Sequence, residues 1–219
     1  GIAYHEVFGP HPDHATLAFE AARQRLAELE RFVGPRVRLG ISPHAPYSVS
    51  GPLYATVAAF AAERNLPVAV HLAESEEETL LLERAAGSFA RAWEARGIPL
   101  PSLPGRSPVT WLDQHRVLTD RTLCIHTVRV SQRDLDTLAR RRVAIAHCPR
   151  SNRRHARRAA PLGEMLRRGF RVGLGTDSVA SVSPLDLLAE AREARAIGGL
   201  DADATLRLAT LDGARALGV

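Results

Sequence analysis

Lysine is missing altogether: all 29 basic side chains of this 219-residue chain are arginine. Without lysine there is no GxxxxGK[ST] phosphate loop, and no GxGxxG follows a strand-like run, so neither P-loop nor dinucleotide chemistry is signalled. Cysteine is scarce, with two in all. That is too few for a disulfide framework, and a reducing compartment, the cytoplasm, is expected. The opening Gly1-Ile2-Ala3-Tyr4-His5 has no basic-then-apolar leader pattern. No apolar run nears the roughly 18–20 residues of a membrane span, so a soluble protein without a membrane partner is expected. Aromatic residues make up only 5%. They do not interleave with the arginines of 140–142 and 150–158, as base stacking would require. A net charge of +5 is modest for this length. An arginine-rich nucleic-acid binder is therefore the weaker reading beside a solvated basic face.

The chain is 45% hydrophobic and 24% charged, ordinary values for a globular domain. Short apolar, β-rich runs occupy residues 2–8, 37–42, 67–71, 122–126, 143–147 and 170–175. Segments with helical spacing lie between them. Ala22, Leu26, Leu29 and Val33 form one face, ended by Gly34. Leu53, Val57 and Phe60 form another, introduced by Ser50 and Pro52. Ser75 with Glu78, and Ser131 with Asp134, read as capping boxes. Leu162, Met165 and Leu166 begin a short helix stopped by Gly169, and Ser183-Pro184 opens a helix carrying Leu187, Leu188 and Ala191. Further helical material lies in 202–217, and the proline-rich stretch 97–108 reads as a loop over the mouth. Buried strands alternating with helices predict a parallel sheet covered by helices. About six such units are found, fewer than a closed eight-stranded barrel of about 250 residues needs.

Polar residues collect where the strands end. The first strand ends in His5-Glu6, the second in Ser42-Pro43-His44 and the third in His71 followed by Glu74. The later strands end in His126, His147 and Asp177. In a parallel α/β barrel these ends converge on one mouth. Burying so many imidazoles without a ligand would leave donors and acceptors unpaired, so a metal and a polar substrate are expected there. His71 is suited to a divalent transition metal. Asp177 offers a carboxylate for the metal and for a proton from its water, and Glu74 sits where it could pass a proton to substrate. Glu76–Glu78 read instead as first-turn carboxylates favoured by the helix dipole. Cys124 and Cys148 are expected to point away from the imidazoles as small core residues.

The motifs Glu6-Val7-Phe8-Gly9, Ser42-Pro43-His44-Ala45-Pro46-Tyr47, His71-Leu72-Ala73-Glu74, Cys124-Ile125-His126, His147-Cys148-Pro149-Arg150-Ser151-Asn152 and Gly175-Thr176-Asp177-Ser178 span almost the whole chain. Together they resemble the metal-dependent amidohydrolase superfamily, in its branch that deaminates adenine-containing nucleosides. The likeness is greatest to aminofutalosine deaminases of menaquinone biosynthesis, with S-adenosylhomocysteine/methylthioadenosine deaminases close behind. The resemblance implies His71 and Asp177 as ligands of one divalent metal ion, zinc by preference. It implies His126 as the group orienting or deprotonating water, Glu74 as the proton donor to the ring nitrogen and leaving ammonia, and His44 as a substrate contact. His147, Ser151 and Asn152 are implied as supports.

Two departures set further expectations. Relatives carry a His-x-His pair on the first barrel strand, and no such pair occurs here; His11-Pro12-Asp13-His14 has another spacing. The arginines of 153–158 also replace a stretch that relatives make glycine-rich. The expected architecture is α/β: a single partial domain over 1–219, an incomplete (β/α)8 TIM-type barrel holding about strands 3 to 8. The first two strands and the small β-sandwich would be absent. The expected activity is hydrolytic deamination of a small heterocyclic substrate, with a catalytically inactive fragment as the alternative. A homo-oligomer is left open.

Overall fold

A computed structural model describes residues 1–101, 105–155 and 158–219. Each β-rich run becomes a strand: β1 (Ile2–Val7), β2 (Arg38–Pro43), β3 (Val68–Leu72), β4 (Thr122–His126), β5 (Ala144–His147) and β6 (Arg171–Leu174). They pair in parallel in chain order, so each strand lies beside its predecessor. The helices are α1 (Ala15–Leu29), α2 (Gly51–Glu63), α3 (Glu76–Arg84), α4 (Gly87–Ala95), α5 (Pro108–Gln114), α6 (Gln132–Arg141), α7 (Pro149–His155), α8 (Leu162–Arg167), α9 (Leu187–Gly198), α10 (Ala202–Ala209) and α11 (Leu211–Leu217). Among the described residues β1 and β6 remain sheet edges. The fold is therefore a partial TIM-type α/β barrel of six strands that does not close.

Alternation along the strands separates two surfaces. Ile41, Val68, Val70, Leu72 and Cys124 face outward and pack on Leu26, Leu53, Val57 and Leu112 of the covering helices. Ile145 and Val172 continue that layer against Met165, Ala194 and Leu208. Fully burying one such side chain contributes about 1.5–3 kcal/mol, so this outer layer supplies most of the cohesion. The inner surface is thinner. Tyr4, Ala69, Leu123, Ile125, Ala144 and Ala146 meet Ala216 and Leu217 of α11, which lies across the floor of the sheet. Arg38, at the start of β2, donates to the carbonyls of Leu217 and Gly218 at 2.9 and 3.2 Å.

Several local expectations are corrected. The first helix stops at Leu29, and a 3-10 turn over Glu30–Phe32 follows. Val33 is extended and 47% exposed, because Gly34 and Val37 form a tight bridge that turns the chain. Ser183-Pro184 does not open a helix. The α9 helix begins at Leu187, capped by Asp186, whose carboxylate accepts from the Ala189 amide. The region 202–217 holds two helices, broken at Thr210. In the stretch 97–108, residues 102–104 lie outside the described residues, as do 156–157 within the second arginine run. Both cysteines are buried and unpaired, as expected. The arginines of 140–142 are engaged locally, with Thr137, Asp113 and Asp120 respectively. No described helix is long and apolar enough to cross a membrane.

Where β6 meets α11 the backbones touch. A Cβ added at Gly173 would sit 2.7 Å from the Cα of Gly213, and neither main chain can move aside cheaply. Gly173→Ala is expected to lower stability by about 1–3 kcal/mol through overpacking, read as a lower urea midpoint. An unchanged midpoint would show that α11 does not press on the sheet.

Candidate metal and substrate site

The mouth is built by imidazoles whose Nδ1 atoms are already engaged. His71 Nδ1–H donates to the backbone carbonyl of His44 at 3.1 Å. His126 Nδ1–H donates to Oδ1 of Asn152 at 2.8 Å. In both rings this leaves Nε2 as the free lone pair, the arrangement that fixes a metal-binding tautomer. Ser48 donates to the Ala45 carbonyl, so its oxygen accepts from His44 Nδ1–H at 2.7 Å. One ligand atom each from His71, His126 and Asp177 lie within 4.8 Å of one another. His126 Nε2 lies 3.7 Å from a Glu74 oxygen and 4.0 Å from an Asp177 oxygen. Two imidazoles and a carboxylate, each ring braced from behind, form a donor set suited to a divalent transition metal.

The backbone turns these groups inward. Leu72 and His126 are register partners, so alternation alone would send the His126 ring toward the outer core with Leu72. His126 instead has φ of 73° and Thr127 of 50°, with Ala73 at 51° and Asp177 at 59°. Left-handed backbone at non-glycine residues costs about 1–3 kcal/mol each, and such strain gathers at functional sites. The strand ends bend, and the polar side chains reach the mouth.

Glu78 offsets part of that strain. It lies in the first turn of α3, as read from the sequence, and is fully buried there. Ser75 accepts from the Glu78 amide as a cap, but the Glu78 carboxylate turns away from Ser75 and receives the amides of Ala73 and Glu74, each at 2.9 Å. Burial pushes this carboxyl up to about 8, against the pull of those two amides. The only trace in the sequence is its spacing, four residues after Glu74.

Asp177 is held as an anion. Burial would raise its carboxyl, yet the Ser151 hydroxyl at 2.6 Å and the Ser178 amide at 2.7 Å hold it below its usual range. Burial lowers His126, and lowers His44 to about 4 with help from the neighbouring His71 and His126. Asn152 has its orientation fixed: with Oδ1 committed to His126, its amide nitrogen faces Nδ1 of His147 at 3.4 Å. Ser151 and Asn152 thus brace Asp177 and His126 respectively. Beside this cluster lies a second: one ligand atom each from Glu6, His44 and His71 within 4.8 Å of one another. Glu6 had stood out as a strand-end residue and as the start of the Glu6-Val7-Phe8-Gly9 motif.

Residues 6–219 match the amidohydrolase family. The chain belongs to that family. It is 34% identical to the aminodeoxyfutalosine deaminase of Deinococcus radiodurans over 100% of this chain and 54% of the relative. An adenosine deaminase from Xanthomonas campestris, solved with bound zinc, is 29% identical, with a TM-score of 0.75 over 91% of this chain and 44% of that one. The aminofutalosine deaminase of Helicobacter pylori has a TM-score of 0.87 over 100% of this chain and 55% of that one; at 23% identity this likeness bears on the fold. The chain spans about half the length of the curated relatives it matches.

Burial lowers the His147 pKa from 6.5 to about 4. The unfolded chain therefore binds the proton first, and stability present above about 6.5 is lost as pH falls toward about 4. The His147 contribution to the unfolding free energy is expected to drop by up to about 1.4 kcal/mol per pH unit across that window. His147→Gln should remove that contribution, so the stability difference between parent and variant should change with pH there; parallel pH curves for the two would assign the effect to other groups.

Proposed function

We propose that the protein carrying this chain is a metal-dependent hydrolase that deaminates an aminopurine nucleoside-type substrate, such as aminofutalosine. The observation that carries this reading is the convergence of His71, His126 and Asp177 beside the Glu74 carboxylate. The family match and the deaminase relatives support it. His71 and Asp177 would hold one divalent ion, zinc by preference, with His126 at its side. Such an ion supplies Lewis acidity that brings the pKa of water toward about 7.

The chain's own groups manage the protons. Asp177, kept ionised by the Ser151 and Ser178 donors, accepts a proton from water. His126, with Nδ1–H tied to Asn152, presents Nε2 as an acceptor that orients that water. Glu74, whose backbone is fixed by Glu78, delivers a proton to the ring nitrogen and then to the departing amine. The C–O bond forms at the amino-bearing ring carbon, the C–N bond breaks, and one water is exchanged for one ammonia. His44 contacts the bound substrate beyond the reacting carbon.

The gene product that carries this chain should bind metal stoichiometrically at neutral pH and release ammonia from an aminopurine nucleoside. Asp177→Asn is expected to lower kcat at least about 100-fold, as read by ammonia release. Near-full activity in that variant removes the role given to Asp177. Purified protein devoid of metal after zinc supplementation would favour a catalytically inactive chain.

A further inference from the structure

We propose that the floor of the sheet, at the end opposite the mouth, holds a binding site for a small phosphate-bearing polyanion, with Arg38, Arg121 and Arg171 as its donors. The site is independent of the deaminase reading, and no residue of the metal cluster takes part in it.

The three arginines stand where alternate strands begin. Arg38 and Arg171 are the first residues of β2 and β6, and Arg121 immediately precedes β4. Together they line one cavity of about 490 Å³, beside the end of α11. That volume lies within the usual range of small-ligand sites. Far apart in the chain, these residues belong to neither arginine run, and only the parallel order of the strands gathers them.

Each guanidinium is held by neutral acceptors. Arg38 donates through Nη2 to the carbonyls of Leu217 and Gly218, and Arg121 through Nη1 to that of Asn65 at 2.9 Å. Arg171 donates through Nη2 to the carbonyls of Asp120 and Arg142, both at 2.7 Å. Among the described residues, Nε and the other terminal nitrogen of each have no acceptor. On Arg121 the unspent pair is Nε and Nη2, the edge that grips two oxygens side by side. Asp120 is the one carboxylate among the described lining residues, and Arg142 already holds it at 3.3 Å. Tyr4 adds a hydroxyl; burial pushes it up to about 12 against the pull of Arg38, so it keeps its proton to donate.

A purely structural role, fastening α11 and the loops below the strands, accounts for the bonds to carbonyls. It leaves three like charges around one cavity without compensation, a repulsion that an entering anion reverses. Three guanidiniums from three strands present more donors than one carboxylate can accept. A diphosphate group has the oxygens and the charge to meet them.

The test titrates the purified protein carrying this chain with inorganic diphosphate and with ADP, by calorimetry in phosphate-free buffer of low ionic strength. Binding of at least one probe is expected, weakening as salt rises; tighter binding of ADP would assign the ligand to the nucleotides, and tighter binding of diphosphate to free polyphosphates. Arg121→Met should weaken binding at least about tenfold, as loss of charge-assisted hydrogen bonds predicts. Arg171→Lys, which keeps the charge but not the fork, should weaken it at least about threefold. Arg153→Met, in α7 at the mouth end and paired with Glu193 at 3.1 Å, should leave it within about twofold. Arg121 is exposed and gives up a single bond to a carbonyl, so its variant should keep the urea midpoint of the parent. Saturating diphosphate or ADP should raise that midpoint in the parent and not in Arg121→Met. Absence of binding by both probes overturns the proposal. So does binding that survives both floor substitutions, or that Arg153→Met weakens as much as Arg121→Met does.

Discussion

The geometry of the mouth depends on what each imidazole does with its Nδ1 proton. A backbone carbonyl takes it from His71, an asparagine oxygen from His126 and a serine oxygen from His44. Each bond fixes a tautomer and a ring plane together, and leaves Nε2 to face the open side. None of the acceptors can be ionised, so the bracing does not change across ordinary pH. Without it the same rings at the same strand ends would rotate, and neither the cluster with Asp177 nor the pair with Glu6 would be defined.

Those bonds require unusual backbone, and the fold supplies compensation locally. The left-handed turns at Ala73 and His126 push polar residues off the outward path that alternation would give them. Glu78 answers at β3 by accepting two consecutive amides from inside the core. At β4 the chain answers with its own carbonyls, as the Thr127 amide reaches Leu72 and the amides of Val128 and Arg129 reach Ala73. A buried carboxylate is costly on its own, and here that cost is set against a strained loop that would otherwise relax.

Much of this was legible in the sequence where the signal was periodic or repeated. All six strands fall where β-rich runs predicted them, and His71, His126 and Asp177 converge because parallel strands in chain order must end on one side. Signals that depend on where a side chain turns were not legible. Ser75 and Glu78 have capping-box spacing, but a carboxylate beside two strained amides finds better donors there than at the cap. Val33 keeps helical spacing, yet the turn at Gly34 takes it out of the helix. Glu6 is marked by its motif and its strand end, but that it lies beside His44 comes from the pairing of β1 with β2. Resemblance to a family located the chemistry, while hydrogen-bond direction assigned which nitrogen serves it.

The contact between α11 and the floor of the sheet has a consequence for how the chain acquires its shape. Successive strands are spatial neighbours, so β1 through β6 can assemble stepwise as each unit leaves the ribosome. The bonds from Arg38 to Leu217 and Gly218 span 179 and 180 residues, and Tyr4 waits for the same helix. Until α11 emerges, the inner faces of β1 and β2 stay wet. A helix made after all six strands thus latches the first two of them, and this contact is the slow, non-local step in assembling the sheet.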